Sequence, residues 1–379
     1  MKILYLHQYF KTPSQAGSHR SWYIAKTLVE AGYQVEIITS TQEKKTFFLE
    51  LNHIKVHYLP VAYEQSMSFW QRLWAFLVFF AKAYKKASQI QNIHLIYATS
   101  TPLSIGILAF FLKKFRKTPY IFEVRDLWPL VPIEMGFIKN SLLINFLYKL
   151  EKIIYQNAQK IIALSPSMQS YIQTLVPQKE IICVPNMADN DFFSQVSTPL
   201  QNNKPFTISY FGSIGKANGL ERLIEIAKNI PDIHFWIIGK GSELSSIQTL
   251  SKSFPNISFF EEQTKEQLRE TLQQTDAFFI SFADFKSLET CSPNKFFDGL
   301  ATGKLCITNT KGWIKDIIEQ EQCGFYVENA QDFAIKIQDF INNPSLLKTY
   351  QENARKTAEK YFDKNILCSK IVSLVKTFE

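Results

Sequence analysis

The stretch Cys291-Ser-Pro-Asn-Lys-Phe-Phe-Asp-Gly-Leu-Ala-Thr-Gly-Lys304 runs straight into the apolar segment Leu305 to Asn309, so loop, helix and strand follow one another without a break. The tight turn Ser292-Pro293-Asn294 leaves backbone N–H groups at a helix N-terminus, where the helix dipole and Lys295 both favour an anion. One turn later, Asp298 offers a carboxylate suited to sugar hydroxyls. Together they describe a site for a nucleoside diphosphate. The same residues also read as an ordinary helix, capped by Ser292 and carrying a solvated lysine.

Working outward, short β-rich runs alternate with helical patterns along almost the whole chain of 379 residues. The first series of strands is expected at Lys2 to Leu6, Gln34 to Ser40, Lys55 to Leu59, Leu95 to Ala98, Tyr120 to Val124, Lys160 to Leu164 and Ile181 to Val184. A proline-rich, polar stretch from Pro185 to Pro205 breaks the pattern and reads as a linker. The second series falls at Thr207 to Phe211, His234 to Ile238, Ile257 to Phe260, Ala277 to Ser281, Leu305 to Asn309 and Gly324 to Val327. Such alternation implies parallel sheets covered on both faces, hence two consecutive doubly wound α/β domains. The expected division is 1–187 and 188–361, with a C-terminal helix at about 362–379 placed to pack back on the first domain.

Ligands of such sheets bind outside the carboxyl ends of the strands, so the loops after strands carry the functional reading. The first strand leads into a long loop, His7 to Arg20, that contains Gly17. Phe211-Gly-Ser-Ile-Gly-Lys-Ala-Asn-Gly219 and Gly239-Lys-Gly241 follow two strands of the second domain. The glycine spacing of the former departs from the dinucleotide fingerprint, and its position says more than its spelling. Lys216, Lys240 and Lys295 all lie on post-strand loops of one domain, where they could converge on a diphosphate; each could equally be a solvated surface lysine.

A hydrophobic content of 46% is enough for two cores. Five scattered cysteines suit buried thiols in a reducing compartment, and the short apolar start, Met1 to His7, reads as a strand and not as a signal peptide, so a cytoplasmic location is expected. The runs Leu73 to Ala81 and Leu103 to Leu112 are too short to span a bilayer. Within Phe69 to Ser88, however, Arg72, Lys82, Lys85 and Lys86 share one stripe of a helix, and Trp70, Leu73, Trp74, Leu77 and Phe80 fill the other side. That pattern suits an anionic membrane surface, as does the formal net charge of +8; the alternative is a core helix with a basic edge. The same charge would permit nucleic-acid binding, yet no compact Lys/Arg run or stacking motif supports it. Six scattered histidines and the lack of a post-strand Asp-x-Asp pair lead us to expect no metal.

KILYLHQYF at the start, GSHRSWYIAKTLVEAGYQVEIITS after it, FEVRDLWP at 122–129, LSPSM at 164–168, VPNMADNDFF at 184–193, FGSIGKANGLERL at 211–223 and SPNKFFDGLATGK at 292–304 together resemble the retaining, nucleotide-sugar-dependent glycosyltransferases of family 4, which have the GT-B fold. The resemblance covers essentially the whole chain and is nearest to the branch that builds bacterial capsule and O-antigen repeats, including N-acetyl-fucosaminyl transferases. It implies that the second domain binds the nucleotide sugar and the first faces the acceptor across a cleft. The implied donor-binding residues are Gly17, Gly212, Ser213, Lys216, Gly239, Lys240, Glu289, Thr290, Ser292, Pro293, Asn294, Lys295 and Asp298, with His19 and Arg20 on the acceptor side.

Three departures from the family pattern stand out. Of its two glutamates separated by seven residues, the second falls on Asp298 and the first on Thr290, so Glu289 competes for the sugar contact. The usual phosphate-binding arginine and lysine fall on Ser213 and Asn218, and Lys216 and Lys295 are the substitutes. In place of a strand-end His-Asp pair stands Arg125-Asp126, and a guanidinium accepts no proton. Base function then falls to Asp126 or Glu123, or the acceptor proton passes to the leaving phosphate, with Arg125 positioning acceptor or phosphate. A structural salt bridge is the other reading of this trio. The expected activity is transfer of a sugar, an N-acetylated hexose from UDP, to a lipid-linked glycan at the inner face of the membrane. The rivals are a nucleotide-sugar epimerase of the same architecture and a non-catalytic two-domain ligand-binding protein.

Overall fold

The computed structural model describes residues 1–15, 17–63, 67, 69–193 and 204–379. The chain divides into two compact units: one holds Met1–Pro13, Gly17–Pro185 and Leu367–Glu379, and the other is built from Asn186–Ile366. Of the stretch expected as linker, 194–203 lies outside the described residues.

The first unit contains β1 (Lys2–Leu6), β2 (Gln34–Thr41), β3 (Phe47–Leu51), β4 (Ile54–Pro60), β5 (Leu95–Thr99), β6 (Tyr120–Val124), β7 (Lys160–Ala163) and β8 (Ile181–Cys183). They form one sheet in the order β3-β4-β2-β1-β5-β6-β7-β8. Every neighbouring pair is parallel except β3 and β4, which make an antiparallel hairpin at the edge. β5 and β6 are buried at every residue, as expected of strands covered by helices on both faces. The hairpin is a departure from the sequence reading, which has no strand at Phe47–Leu51. Its turn is made by Asn52 and His53 with φ of 48° and 62°, a left-handed pair that no glycine signals.

The second unit contains β9 (Thr207–Phe211), β10 (His234–Ile238), β11 (Ile257–Phe260), β12 (Ala277–Ile280), β13 (Leu305–Thr308) and β14 (Gly324–Tyr326) in the order β11-β10-β9-β12-β13-β14, all parallel. Its core joins Ile208, Tyr210, Ile237, Phe279 and Ile307 of the sheet to Ile224 and Phe333 of the covering helices. Both units are Rossmann-like, with the strand-end loops at the positions the sequence assigns to them. The final helix, Lys364–Lys376, buries Leu367, Cys368, Ile371, Leu374 and Val375. Among the described residues, no helix is long and apolar enough to cross a membrane.

The helix Phe69–Gln89 places the two sides of its sequence pattern unequally. It buries Ala75, Phe79, Ala83 and Ala87, while Trp70, Leu73, Trp74 and Leu77 are exposed. Small residues let the helix lie close to the sheet, so the side that looks most apolar in sequence is the side turned to solvent.

Candidate functional site

The helix Asn294–Ala301 begins at Pro293 and has no side-chain cap. Ser292, the expected cap, is occupied elsewhere: its Oγ accepts from the Asn186 backbone N–H at 3.2 Å, and its carbonyl accepts from Asn186 Nδ2 at 2.6 Å. Pro293 contributes a fixed φ and no donor, leaving the positive end of the helix to the backbone. Lys295 is buried, and its Nζ lies 3.9 Å from the centre of the Tyr210 ring. That ammonium has no hydrogen-bond partner. Burial pulls its pKa down to about 7, because removal from water disfavours the charged form.

Backbone geometry brings the post-strand loops to this lysine. Gly212, with φ of 124°, lies so near that a Cβ built on it would be 3.4 Å from Lys295 Cε and 3.7 Å from Nζ. Gly239, with φ of 145°, approaches the Gly212 carbonyl to a distance that leaves a Cβ 1.9 Å from the oxygen. The Ile214 N–H donates to the Lys240 carbonyl at 2.9 Å, which ties the two loops together. Gly212 and Gly239 therefore shape the site by close approach of main chains. Ser213 and Lys216 are exposed on the same loop.

Asp298 is half-buried one turn beyond Lys295. Its carboxyl is raised to about 6, first by burial, with Lys265 opposing and Asp189 adding to the rise. Asp189 is bound by Lys265 at 3.0 Å and by Lys364. This network behind Asp298 is not in the sequence reading; its acid lies in VPNMADNDFF, but its lysines are far along the chain.

Other expected donor residues are placed differently. Lys240 pairs with Glu262 at 2.6 Å on the surface, so a carboxylate already neutralises the third lysine of the expected set. Thr290 closes its own turn, its hydroxyl donating to the Ser287 carbonyl at 2.7 Å. Glu289 lines a polar cavity of about 90 Å³ together with Arg222, Asp284, Asn309 and Lys311. Gly17 adopts a φ of 126° in the loop after β1.

In the first unit, the Arg125 guanidinium donates to Ser18 Oγ at 3.0 Å and lies 3.4 Å from His7 Nε2. Burial, followed by the charge of Arg125, lowers the His7 pKa to about 3, so the neutral ring can accept from Arg125. Asp126 accepts from Thr101 Oγ1 at 2.7 Å. Glu123 is fully buried and takes four donors: Arg20 Nε at 3.1 Å, Arg20 Nη2 at 3.0 Å, Tyr97 Oη at 2.6 Å and Thr99 Oγ1 at 2.7 Å. Burial would raise its pKa, but Arg20 and these hydrogen bonds hold it at about 2. Such a carboxylate is a framework group and a poor proton acceptor. Arg20 is likewise spent, binding the Val184 carbonyl at 3.0 Å and that of Pro185. With Arg20 2% and His19 6% exposed, neither offers the acceptor surface expected of it.

Two Rossmann-like units in succession are the fold of the GT-B glycosyltransferases. Residues 17–187 match the family described as glycosyl transferase 4-like domain and residues 192–357 that described as glycosyl transferases group 1, so the chain belongs to the glycosyltransferases that join these two domains. Similar solved structures include sucrose-phosphate synthase from Thermosynechococcus elongatus, at 15% identity and a TM-score of 0.81 over 99% of this chain and 98% of that one. HepE from Anabaena in complex with UDP-glucose matches at 16% identity and a TM-score of 0.73 over the whole of both chains. WaaG, a glycosyltransferase involved in lipopolysaccharide biosynthesis, matches at 14% identity and a TM-score of 0.68 over 97% and 99%. At these identities the likeness is one of fold. No match was found among curated protein sequences.

Proposed function

We propose that the chain is a retaining transferase that moves a sugar, an N-acetylated hexose, from UDP to a lipid-linked glycan in bacterial surface polysaccharide synthesis, at the inner face of the cytoplasmic membrane. The observation that carries this reading is Lys295. A buried ammonium with no hydrogen-bond partner among the described residues, at a helix N-terminus and against a glycine turn, is suited to an anion that is not part of the protein. Asp298, one turn on, is positioned for ribose hydroxyls. The complexes of HepE with UDP and UDP-glucose support a nucleotide-sugar donor, and the role of WaaG in lipopolysaccharide supports a glycan acceptor. With the diphosphate neutralised by Lys295, Lys216 and the helix start, the sugar–phosphate bond breaks toward an oxocarbenium-like centre, and catalysis is positional and electrostatic without a metal. On the acceptor side, Asp126, oriented by Thr101, takes or directs the hydroxyl proton, and Arg125, fixed by Ser18 and His7, holds acceptor or phosphate.

Calorimetry with UDP and uridine tests the donor site. Lys295→Ala is expected to weaken UDP by about 1.5 to 3 kcal/mol and spare uridine, whereas Asp298→Asn weakens both. Because the free lysine titrates near 7, wild-type affinity for UDP should be flat below that pH as far as Lys295 is concerned. Above it the affinity should fall, with proton uptake on binding. Two mutants that bind UDP like the wild type would remove the phosphate assignment. Asp126→Asn should cut turnover at least about 100-fold with donor affinity intact, and added EDTA should leave turnover unchanged.

A further inference from the structure

We propose that the outward face shared by the helices Phe69–Gln89, Ser104–Arg116 and Ser141–Asn157 is a single docking surface for an anionic lipid bilayer, entered by its aromatic side chains and ringed by its lysines. The inference rests on the lipid-linked acceptor proposed above and replaces the basic stripe of one helix with a face built from three.

The three helices lie side by side on the first unit. The Phe80 ring meets the Phe111 ring edge-on at 5.8 Å, joining the first helix to the second. Gly106 joins the second to the third: a Cβ there would lie 2.7 Å from Ile154 Cγ2, and Lys113 Nζ donates to the Asn157 carbonyl at 2.7 Å. Each helix spends a different stripe on the core and turns large apolar side chains outward. Trp70 and Trp74 are 74% and 67% exposed on the first, Phe115 is 62% exposed on the second, and Leu142 and Phe146 are 79% and 60% exposed on the third. Leu142, Phe146 and Ile153 recur at helical spacing, so the third helix presents a stripe and not a scatter. Contiguous exposure of this kind marks an interaction surface.

Charge decides the occupant. These helices carry nine Lys and Arg residues and one acidic residue, Glu151, which is itself buried. From Phe69 to Asn157 there are twelve Lys and Arg against four Asp and Glu, an excess equal to the formal net charge of +8 of the entire chain. Two copies of such a face would repel one another, and an acidic bilayer would attract both its charge and its aromatic side chains. Lys85, Lys114 and Lys149 are exposed beside the apolar stripes. Lys82 is drawn instead toward the sheet, its Nζ donating to the Pro60 carbonyl at 2.8 Å. The lysines thus flank the contact and the aromatics fill it.

Sedimentation with phosphatidylglycerol vesicles tests the face on the full chain, with circular dichroism and cooperative thermal unfolding as the check that the substituted first unit of each variant is folded. Wild type should bind these vesicles, bind phosphatidylcholine vesicles at least about tenfold more weakly, and keep part of its binding at 1 M salt, where roughly a 3 Å screening length removes the electrostatic share. The pairs Trp70→Ser/Trp74→Ser, Phe111→Ser/Phe115→Ser and Leu142→Ser/Phe146→Ser should each lose at least about tenfold in vesicle affinity. Tryptophan emission should shift to the blue with vesicles, and the first pair should abolish the shift. Equal vesicle binding by wild type and the second or third pair overturns the three-helix face. Equal binding to both lipids, or self-association without vesicle binding, overturns the lipid assignment. Transfer to a water-soluble acceptor is read separately: its loss in the wild type defeats the proposed function and leaves the docking result standing.

Discussion

Glu123 in the first unit and Lys295 in the second are both ionisable side chains taken out of water, and the protein treats them in opposite ways. Glu123 receives four hydrogen bonds, two of them from an arginine, while Lys295 receives none among the described residues. A buried charge fully matched by its surroundings belongs to the framework, because any ligand would have to displace bonds already made. A buried charge left unmatched raises the free energy of the empty protein and lowers it again when an anion arrives. The difference separates a framework charge from a candidate site without reference to chemistry. It also turns Glu123, a base candidate in the sequence, into the residue that fixes Arg20 across 103 positions of chain.

The largest effect expected from this contrast is on stability. Glu123→Gln strands Arg20 in the core, and denaturant unfolding should show a loss of about 3 to 5 kcal/mol, with UDP affinity unchanged. Stability intact with turnover lost would break the comparison by returning Glu123 to the chemistry. Glu151 is an intermediate case. Tyr155 Oη donates to its Oε1 at 2.9 Å, Oε2 has no partner, and burial raises its pKa to about 8. A folded-state value above the unfolded one means that the carboxyl stabilises fully below about pH 4.5 and progressively less as pH climbs toward 8. Glu151→Gln removes that slope and should gain up to several kcal/mol relative to wild type at pH 9, with little difference at pH 4. Identical unfolding curves for the two proteins across that range would show that the carboxyl is not neutral in the fold. The smallest effect falls on Lys240, exposed and paired with Glu262, where Lys240→Ala should change UDP affinity by less than about 0.5 kcal/mol. A loss as large as that for Lys295 would mean that three lysines converge on the phosphates after all.

Thirteen of the strands stand where alternation and β-branched runs place them, because each is a local pattern that the pleat makes regular. The missing one, Phe47–Leu51, follows the charged run Glu43-Lys44-Lys45 and ends in a turn of Asn52 and His53, so neither its start nor its hairpin carries a signal. Lys295 and Asp298 were legible because a helix start, a charge and an acid fall within five residues. Which of three lysines is buried was not legible, since that depends on Tyr210 and Gly212 from another strand. The tryptophan stripe was legible as a stripe; which residues seat the helix on the core was not, because a helix can bury alanines and expose its largest side chains when the sheet beneath admits only close approach.

The first unit's share of the C-terminal helix has a consequence for synthesis. A nascent chain halted at residue 187 already possesses all eight strands of its first sheet, yet it lacks the Leu367–Glu379 segment that belongs to the same unit. Leu367, Ile371, Leu374 and Val375 are buried in the finished molecule, so their seats on that half remain unfilled while the ribosome works through the other. Translation order and structural order therefore disagree: the half made first is the half completed last, and the polypeptide must keep it from aggregating for the time needed to add some 180 further residues.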